Sequence, residues 1–227
     1  DRLSDITRVQ CRVKVPEEIM EKIKTSKKVL FLTQTAILTA IIFLMSFTPI
    51  GYLKVGFVEI TFLVIPVAVG AILLGPAVGT FLGFMFGVSS FIQCFTGSVF
   101  GAALLSINPV FTALFCVIPR TLMGFLASVI FRGMYKSTKK GNISCAVASL
   151  SASVLNTLLF ILFLILFFGR SDYISMMMQT TFNTDSILLF SLLFVGWNGL
   201  IEAITCTVIG FGISAVLLKL MKTNSQA

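Results

Sequence analysis

The chain has 227 residues, of which 57% are hydrophobic and only 11% are charged, and its mean hydropathy is +1.03. So little polar surface cannot coat a globular protein in water, which excludes a soluble domain. The net charge of +8 does not indicate nucleic acid as a partner, because Lys and Arg cluster at the ends of apolar stretches and in the N-terminal segment. The composition therefore predicts a polytopic protein of the lipid bilayer.

Six apolar stretches follow one another from Val29 to Leu220. A helix needs about 20 mostly apolar residues to cross a hydrocarbon core about 30 Å thick. The predicted fold is all-α, with six transmembrane helices in one bundle. The predicted spans are 29–47, 60–74, 77–93, 109–131, 143–168 and 187–218.

The remaining residues predict short tails and loops. Residues 1–28 form a polar N-terminal tail in which Pro16-Glu17-Glu18 can open a short helix, residues 29–222 form the transmembrane domain, and 223–227 form a C-terminal tail. Residues 94–107 and the segment after the fifth span are expected to be loops. No cleavable signal peptide is expected, because the first apolar stretch is long and follows a charged tail.

The basic residues predict the orientation. Fourteen of the 17 Lys and Arg residues lie in the tail, after the fourth span or at the C-terminus, whereas Lys54 and Arg170 lie on the other side. Cytoplasmic loops carry the excess of Lys and Arg, so both termini are predicted to be cytoplasmic.

The sixth predicted span is too long for a straight crossing. Its 32 residues would make a helix of about 48 Å, so the helix must tilt, protrude or break. We expect a disturbance on the outer half, where Gly196-Trp197-Asn198-Gly199 occurs.

Polar side chains inside the spans are costly in lipid and are therefore candidates for function. Arg120 in the fourth span, Asn156 in the fifth and Glu202 in the sixth fall within one band of depth near the midplane. One interpretation is that Arg120 and Glu202 pair and lock the bundle. The other is that they pair loosely when the site is empty and that one of them engages a ligand. Because a guanidinium suits carboxylates and phosphates, an anionic ligand is expected, between apolar walls of Phe, Trp and Met.

Small residues recur at helical spacing in two spans. Gly79, Gly83 and Gly87 form a stripe on the third span that predicts close helix packing. Ala36 and Ala40 form a second, weaker pair on the first span.

Several chemistries have no residues to support them. The chain contains no histidine, and its five cysteines share no metal-ligand spacing. It has no phosphate-binding P-loop and none of the residue arrangements of intramembrane proteases. Two internal charges are few for an ion-driven antiporter. We therefore expect no metal, no cofactor and no catalytic residues.

The chain resembles the substrate-binding S-components of energy-coupling factor (ECF) vitamin transporters. The resemblance extends over about residues 28–222. It rests first on Ile65 to Gly79, which reads IPVAVGAILLGPAVG and is similar to the family's run across spans two and three. Thr48-Pro49-Ile50-Gly51, Ile118-Pro119-Arg120, Asn156-Thr157 and Asn198-Gly199-Leu200-Ile201-Glu202 match in order. The pattern is most similar to the pantothenate type, and folate and riboflavin types share much of it. One difference is Val64, where related sequences often have histidine.

The resemblance implies a specific architecture and set of partners. It implies six helices, a binding site that opens outward, and a cap formed by the loop after the first helix. It implies that Ala36 and Ala40 pack on a transmembrane coupling subunit and that two cytoplasmic ATPases supply energy. It also implies transport by tipping of the whole bundle in the bacterial plasma membrane.

The expected function is therefore vitamin binding for uptake, with pantothenate as the first candidate ligand. We expect Arg120, Asn156, Asn198 and Glu202 to bind the substrate, with Trp197 in the apolar wall. Tyr52 and Lys54 are candidates for the lid. The alternatives are the same role for another vitamin, such as folate or riboflavin, a self-sufficient membrane carrier, or an intramembrane enzyme.

Overall fold

The computed structural model describes residues 17–48, 51–55, 58–182 and 186–224, with side chains described within 28–48, 51–52, 61–180, 186, 189–190 and 199–220. The chain divides into two compact units, residues 1–34 and 35–227. The described residues of the first unit begin at Glu17 and are helical.

The elements in chain order are α1 (Glu17–Ser46), β1 (Tyr52–Val55), β2 (Val58–Thr61), α2 (Val64–Leu74), α3 (Pro76–Thr96), α4 (Val99–Ile107), α5 (Pro109–Thr138), α6 (Gly141–Phe168), α7 (Asp172–Phe182) and α8 (Ile187–Asn224).

The helical fold class is confirmed. Within the described part of the chain, five helical segments are long and apolar enough to cross a membrane: Lys28–Ser46, Pro76–Thr96, Pro109–Thr138, Gly141–Phe168 and Gly199–Leu220. The sixth apolar helix, α2, has 11 residues and is only about 16 Å long, half the thickness of a hydrocarbon core. The count of six spans and the orientation of the termini therefore stay predictions.

Three of the expected boundaries are wrong. The second span does not begin at Ile60, because β2 takes residues 58–61 and α2 begins at Val64. The expected loop at 94–107 contains α4, whose first turn is capped by the Ser98 hydroxyl accepting a 3.2 Å hydrogen bond from the Gly101 N–H. The segment after α6 contains α7, which Asp172 in the first turn stabilises through its interaction with the positive end of the helix dipole.

The expected break in the last span is also wrong. The backbone of α8 is helical from Ile187 to Asn224, straight through the Gly196–Gly199 stretch. A glycine in a helix interior lowers the stability of the helix by about 1 kcal/mol relative to alanine. In a continuous helix of 38 residues this loss does not break the backbone hydrogen bonds. At about 57 Å, the helix exceeds the thickness of the core and must tilt or extend beyond it.

The short helix α2 lies at the centre of the core. Its first nine residues are all buried, and it packs against α3, α5, α6 and α8. Pro66 falls in the first turn, where a backbone N–H has no intrahelical partner to lose. A wholly apolar helix surrounded by other helices needs no polar face, which explains why α2 shows little amphipathic pattern.

The glycine stripe of α3 packs closely against another helix, as the sequence predicts, and the structure identifies that helix as α5. A Cβ atom built on Gly83 would be 2.2 Å from the backbone oxygen of Arg120, and one on Gly87 would be 2.6 Å from the Cα of Val117. Gly79 meets Gly124 of α5 in the same way, at 2.5 Å from its oxygen. Only residues without a Cβ allow the two backbones to come this close.

The segment between α1 and α2 contains an antiparallel hairpin in which Tyr52 pairs with Thr61. The Tyr52 hydroxyl and the Ser90 hydroxyl of α3 form a hydrogen bond of 3.1 Å. At the base of the hairpin, the Phe62 N–H donates to the Gly51 oxygen at 3.0 Å. The hairpin is thus attached to α3 by the Tyr52–Ser90 hydrogen bond, in addition to its covalent connections to α1 and α2.

The close approach of α3 and α5 gives a first prediction. Gly83→Ala is expected to lower the free energy of unfolding by about 1–3 kcal/mol, because its methyl group overlaps the Arg120 carbonyl. Gly133→Ala in α5 is the matched control, since a Cβ there meets nothing within 4 Å. Denaturation of the purified variants in detergent measures both. Equal stability of the two variants would contradict the packing described here.

Candidate functional site

A cavity of about 100 Å³ lies between the hairpin, α3, α4, α5 and α6. One water molecule needs about 10–15 Å³ measured in this way, so the space holds several waters or part of a small ligand. Its polar wall comes from both strands, α3, the N-cap of α4 and α5: Tyr52, Thr61, Ser90, Gln93, Ser98 and Thr112. This is a cavity lined by uncharged hydrogen-bonding groups, with aromatic rings on one side.

Arg120 is the only charged residue among the described side chains that line this cavity. Three phenylalanine rings surround its guanidinium, with ring centroids 5.7, 5.6 and 5.5 Å from the guanidinium carbon for Phe86, Phe115 and Phe160. Each such cation–π contact contributes about 0.5–2 kcal/mol, with the larger values in desolvated sites. The rings belong to α3, α5 and α6, so the cation holds three helices around one point.

The residue before Arg120 explains where its side chain goes. Pro119 lies inside α5 and has no N–H to donate to the carbonyl four residues earlier, that of Phe115. The Arg120 Nη1 donates a 2.9 Å hydrogen bond to that same Phe115 oxygen. The guanidinium thus replaces the missing backbone donor. Its Nε is buried and has no hydrogen-bond partner among the described residues.

Asn156 and Glu202 form a second polar centre. Both side chains are buried, and the Asn156 Nδ2 donates a 2.9 Å hydrogen bond to Glu202 Oε1. The backbone N–H of Thr61 and the Ser153 hydroxyl also face the carboxylate. Glu202 therefore connects α8 to α6 and to the end of β2, whose Thr61 lines the cavity.

The structure brings together some of the expected site residues and separates others. Arg120 and Glu202 interact only over a longer electrostatic range and form no ion pair within 4.0 Å. The expected pairing of these two charges is wrong, because Arg120 is engaged by a carbonyl and three rings, and Glu202 by an amide. Asn156 contacts Glu202, but neither residue is among those lining the cavity.

The other expected residues have different positions. Tyr52 lines the cavity. Lys54 lies on β1, and Trp197 and Asn198 lie on α8, but their side chains fall outside the described part of the structure. Ala36 and Ala40 are exposed on α1.

Several lining residues escaped the sequence analysis. Ser90, Gln93 and Thr112 are neutral, and neutral polar residues in an apolar span do not stand out as Arg120 does. One feature of the sequence could have indicated them: Ser89, Ser90 and Gln93 interrupt the apolar sequence in the C-terminal half of α3. Phe115 and Phe160 could not be distinguished from the other phenylalanines, of which the chain has 23.

Comparison with protein families gives one match. The family model described as "ECF transporter, substrate-specific component" matches residues 30–214. Comparison with curated protein sequences gives no match. Because the family match covers most of the chain, the protein belongs to the ECF transporter substrate-specific components, which are membrane-embedded, bind a small-molecule substrate for a transporter complex, and are not enzymes.

Proposed function

We propose that the protein is the S-component that binds pantothenate for uptake. The observation that carries this proposal is one guanidinium among otherwise neutral hydrogen-bonding groups in the described lining of the cavity. A ligand that fits such a cavity has one anionic group together with hydroxyls or amides, and pantothenate has one carboxylate, two hydroxyls and one amide.

The surroundings of Arg120 favour a carboxylate over a neutral ligand. A guanidinium has five N–H donors in a planar fork that matches a carboxylate. Here Nη1 is bound to a carbonyl, whereas none of the described residues accepts a hydrogen bond from Nε. The aromatic rings reduce the local dielectric, so a charge-assisted hydrogen bond is stronger there than in water. Tyr52, Ser90 and Thr112 supply hydroxyl groups for the polar part of the ligand.

The small size of the cavity counts against folate and riboflavin more than against pantothenate. Folate and riboflavin carry fused ring systems and need more room than pantothenate does. Val64, at the position where related sequences often have histidine, is fully buried in the core and is not among the lining residues. A difference at that position therefore does not alter the described wall of the cavity.

We assign Asn156 and Glu202 to the support of the site. Through Thr61, Glu202 holds the hairpin that carries Tyr52 and Lys54, which we propose as the lid. Asn198 precedes Glu202 by about one helical turn, so Asn198 and Trp197 are proposed to contact the ligand from α8.

The exposed face of α1 is proposed as the surface for the coupling subunit. Ala36 and Ala40 are exposed and four residues apart, and small residues at this spacing let another helix approach closely. With both termini cytoplasmic, as the basic residues favour, this subunit and two cytoplasmic ATPases would supply the energy in the bacterial plasma membrane.

Binding of labelled pantothenate to the purified protein tests the ligand. Arg120→Ala is expected to weaken binding by about 1.5–3 kcal/mol, or roughly 10- to 150-fold in Kd, because it removes a charge-assisted hydrogen bond. Arg120→Lys should bind with intermediate affinity, since it keeps the charge but loses the fork. Arg170→Ala, which removes an exposed arginine, is the control and should bind like the wild type.

Unchanged affinity in Arg120→Ala would remove Arg120 from the site. Stronger binding of folate or riboflavin in the same assay would replace pantothenate as the ligand and leave the role of S-component intact.

Uptake by cells that contain the coupling subunit and ATPases tests the surface on α1. Ala36→Trp and Ala40→Trp are expected to abolish uptake while pantothenate binding is retained, because the bulky ring blocks helix contact. Leu158→Trp on the exposed face of α6 is the control. Loss of pantothenate binding in Ala36→Trp and Ala40→Trp would mean that the two alanines pack inside the protein. Accumulation by the purified protein alone in liposomes would instead support a self-sufficient carrier.

A further inference from the structure

We infer that Cys94 and Cys116 form a two-thiolate site for a thiophilic cation in the wall of the cavity. Their Sγ atoms are 3.8 Å apart, and both residues line the cavity. The proposed binding of pantothenate gives neither thiol a role, although both line the same cavity.

The two cysteines are brought together by tertiary packing. They lie 22 residues apart in the sequence, Cys94 on α3 and Cys116 on α5. The close backbone approach at Gly87 brings α3 against Cys116 and Val117 of α5. On the other side of Cys94, Gly101 of α4 leaves room for the sulfur, because a Cβ there would be 2.7 Å from Sγ. The spacing of cysteines along the sequence therefore gives no sign of the pair.

The distance between the sulfur atoms suits a chelated metal ion. Two thiolates that bind a tetrahedral ion with metal–sulfur bonds of about 2.3 Å are about 3.8 Å apart. The pair needs almost no movement to reach that geometry. Thiolates select soft ions, and no carboxylate is among the described residues lining the cavity, which makes a hard ion such as Mg²⁺ or Ca²⁺ unsuitable.

The neighbouring positive charge is compatible with such an ion. Arg120 lies close enough to Cys116 to interact with it electrostatically. When a divalent ion binds, the two thiols release two protons, and the resulting metal–dithiolate unit is neutral. The guanidinium therefore experiences no net repulsion from the bound ion. Because both cysteines line the cavity, water in the cavity can complete the coordination of the ion.

Titration of the full-length protein with Cd²⁺ tests this inference, because Cd²⁺ is thiophilic and redox-inert. Under anaerobic conditions, ultraviolet thiolate-to-metal absorption is expected to saturate at one ion per chain. Cys94→Ala and Cys116→Ala should each weaken this binding by about 10²-fold or more, because each loses the advantage of chelation. Cys145→Ala and Cys206→Ala are matched controls, since both cysteines are buried outside the cavity lining, and should leave the Kd unchanged.

Alkylation of the wild-type protein provides a measurement that needs no variant. Because Cys94 and Cys116 are buried, their reaction with N-ethylmaleimide in the metal-free protein is expected to be slow and is followed over time by peptide mass spectrometry. One equivalent of Cd²⁺ should slow this reaction further at both residues. Protection of other cysteines in their place, or absorption that survives both cavity substitutions, would overturn the inference. If a variant fails to fold, the protection pattern of the wild type decides.

Discussion

The structure depends on a carbonyl group that Pro119 leaves without a backbone donor in the middle of a membrane span. An unsatisfied backbone group in hydrocarbon costs several kcal/mol, so a span with an internal proline needs another donor. The next residue supplies it, because Arg120 donates to the Phe115 oxygen at 2.9 Å. The same contact turns the guanidinium toward the protein interior and fixes it beside the cavity. One proline thus determines both the local backbone and the position of the one charged group among the described residues of the cavity wall.

The surrounding packing maintains this arrangement. Gly83 lets α3 lie directly against the Arg120 backbone, which brings Phe86 of the same helix over the guanidinium. On the opposite side, Phe160 of α6 covers the guanidinium, and Asn156, one turn earlier on that helix, binds Glu202 of α8. The charged groups are therefore held separately, each by neutral partners. This separation leaves the guanidinium available to a ligand, whereas a buried Arg–Glu pair would have had to break before binding.

The sequence predicted the features that depend on composition and on distance along a helix. Apolar length predicted the five long apolar helices, the cost of polar groups in lipid made Arg120, Asn156 and Glu202 candidates for function, and the glycine period predicted that another helix lies close to α3. It could not predict which polar groups meet, because depth along a helix does not give the direction in which a side chain points. It also missed α4 and α7, since short helices outside the spans have no length signal. The unbroken α8 shows that Gly196 and Gly199 do not interrupt a helix with enough neighbouring hydrogen bonds.

An experimental structure of the protein in a lipid nanodisc, with its small molecule bound, tests this account most directly. We expect Arg120 Nη1 to donate a hydrogen bond to the Phe115 carbonyl oxygen and the other guanidinium N–H groups to contact an anionic group of the ligand. A guanidinium paired with Glu202, or a ligand bound away from Arg120, would contradict it.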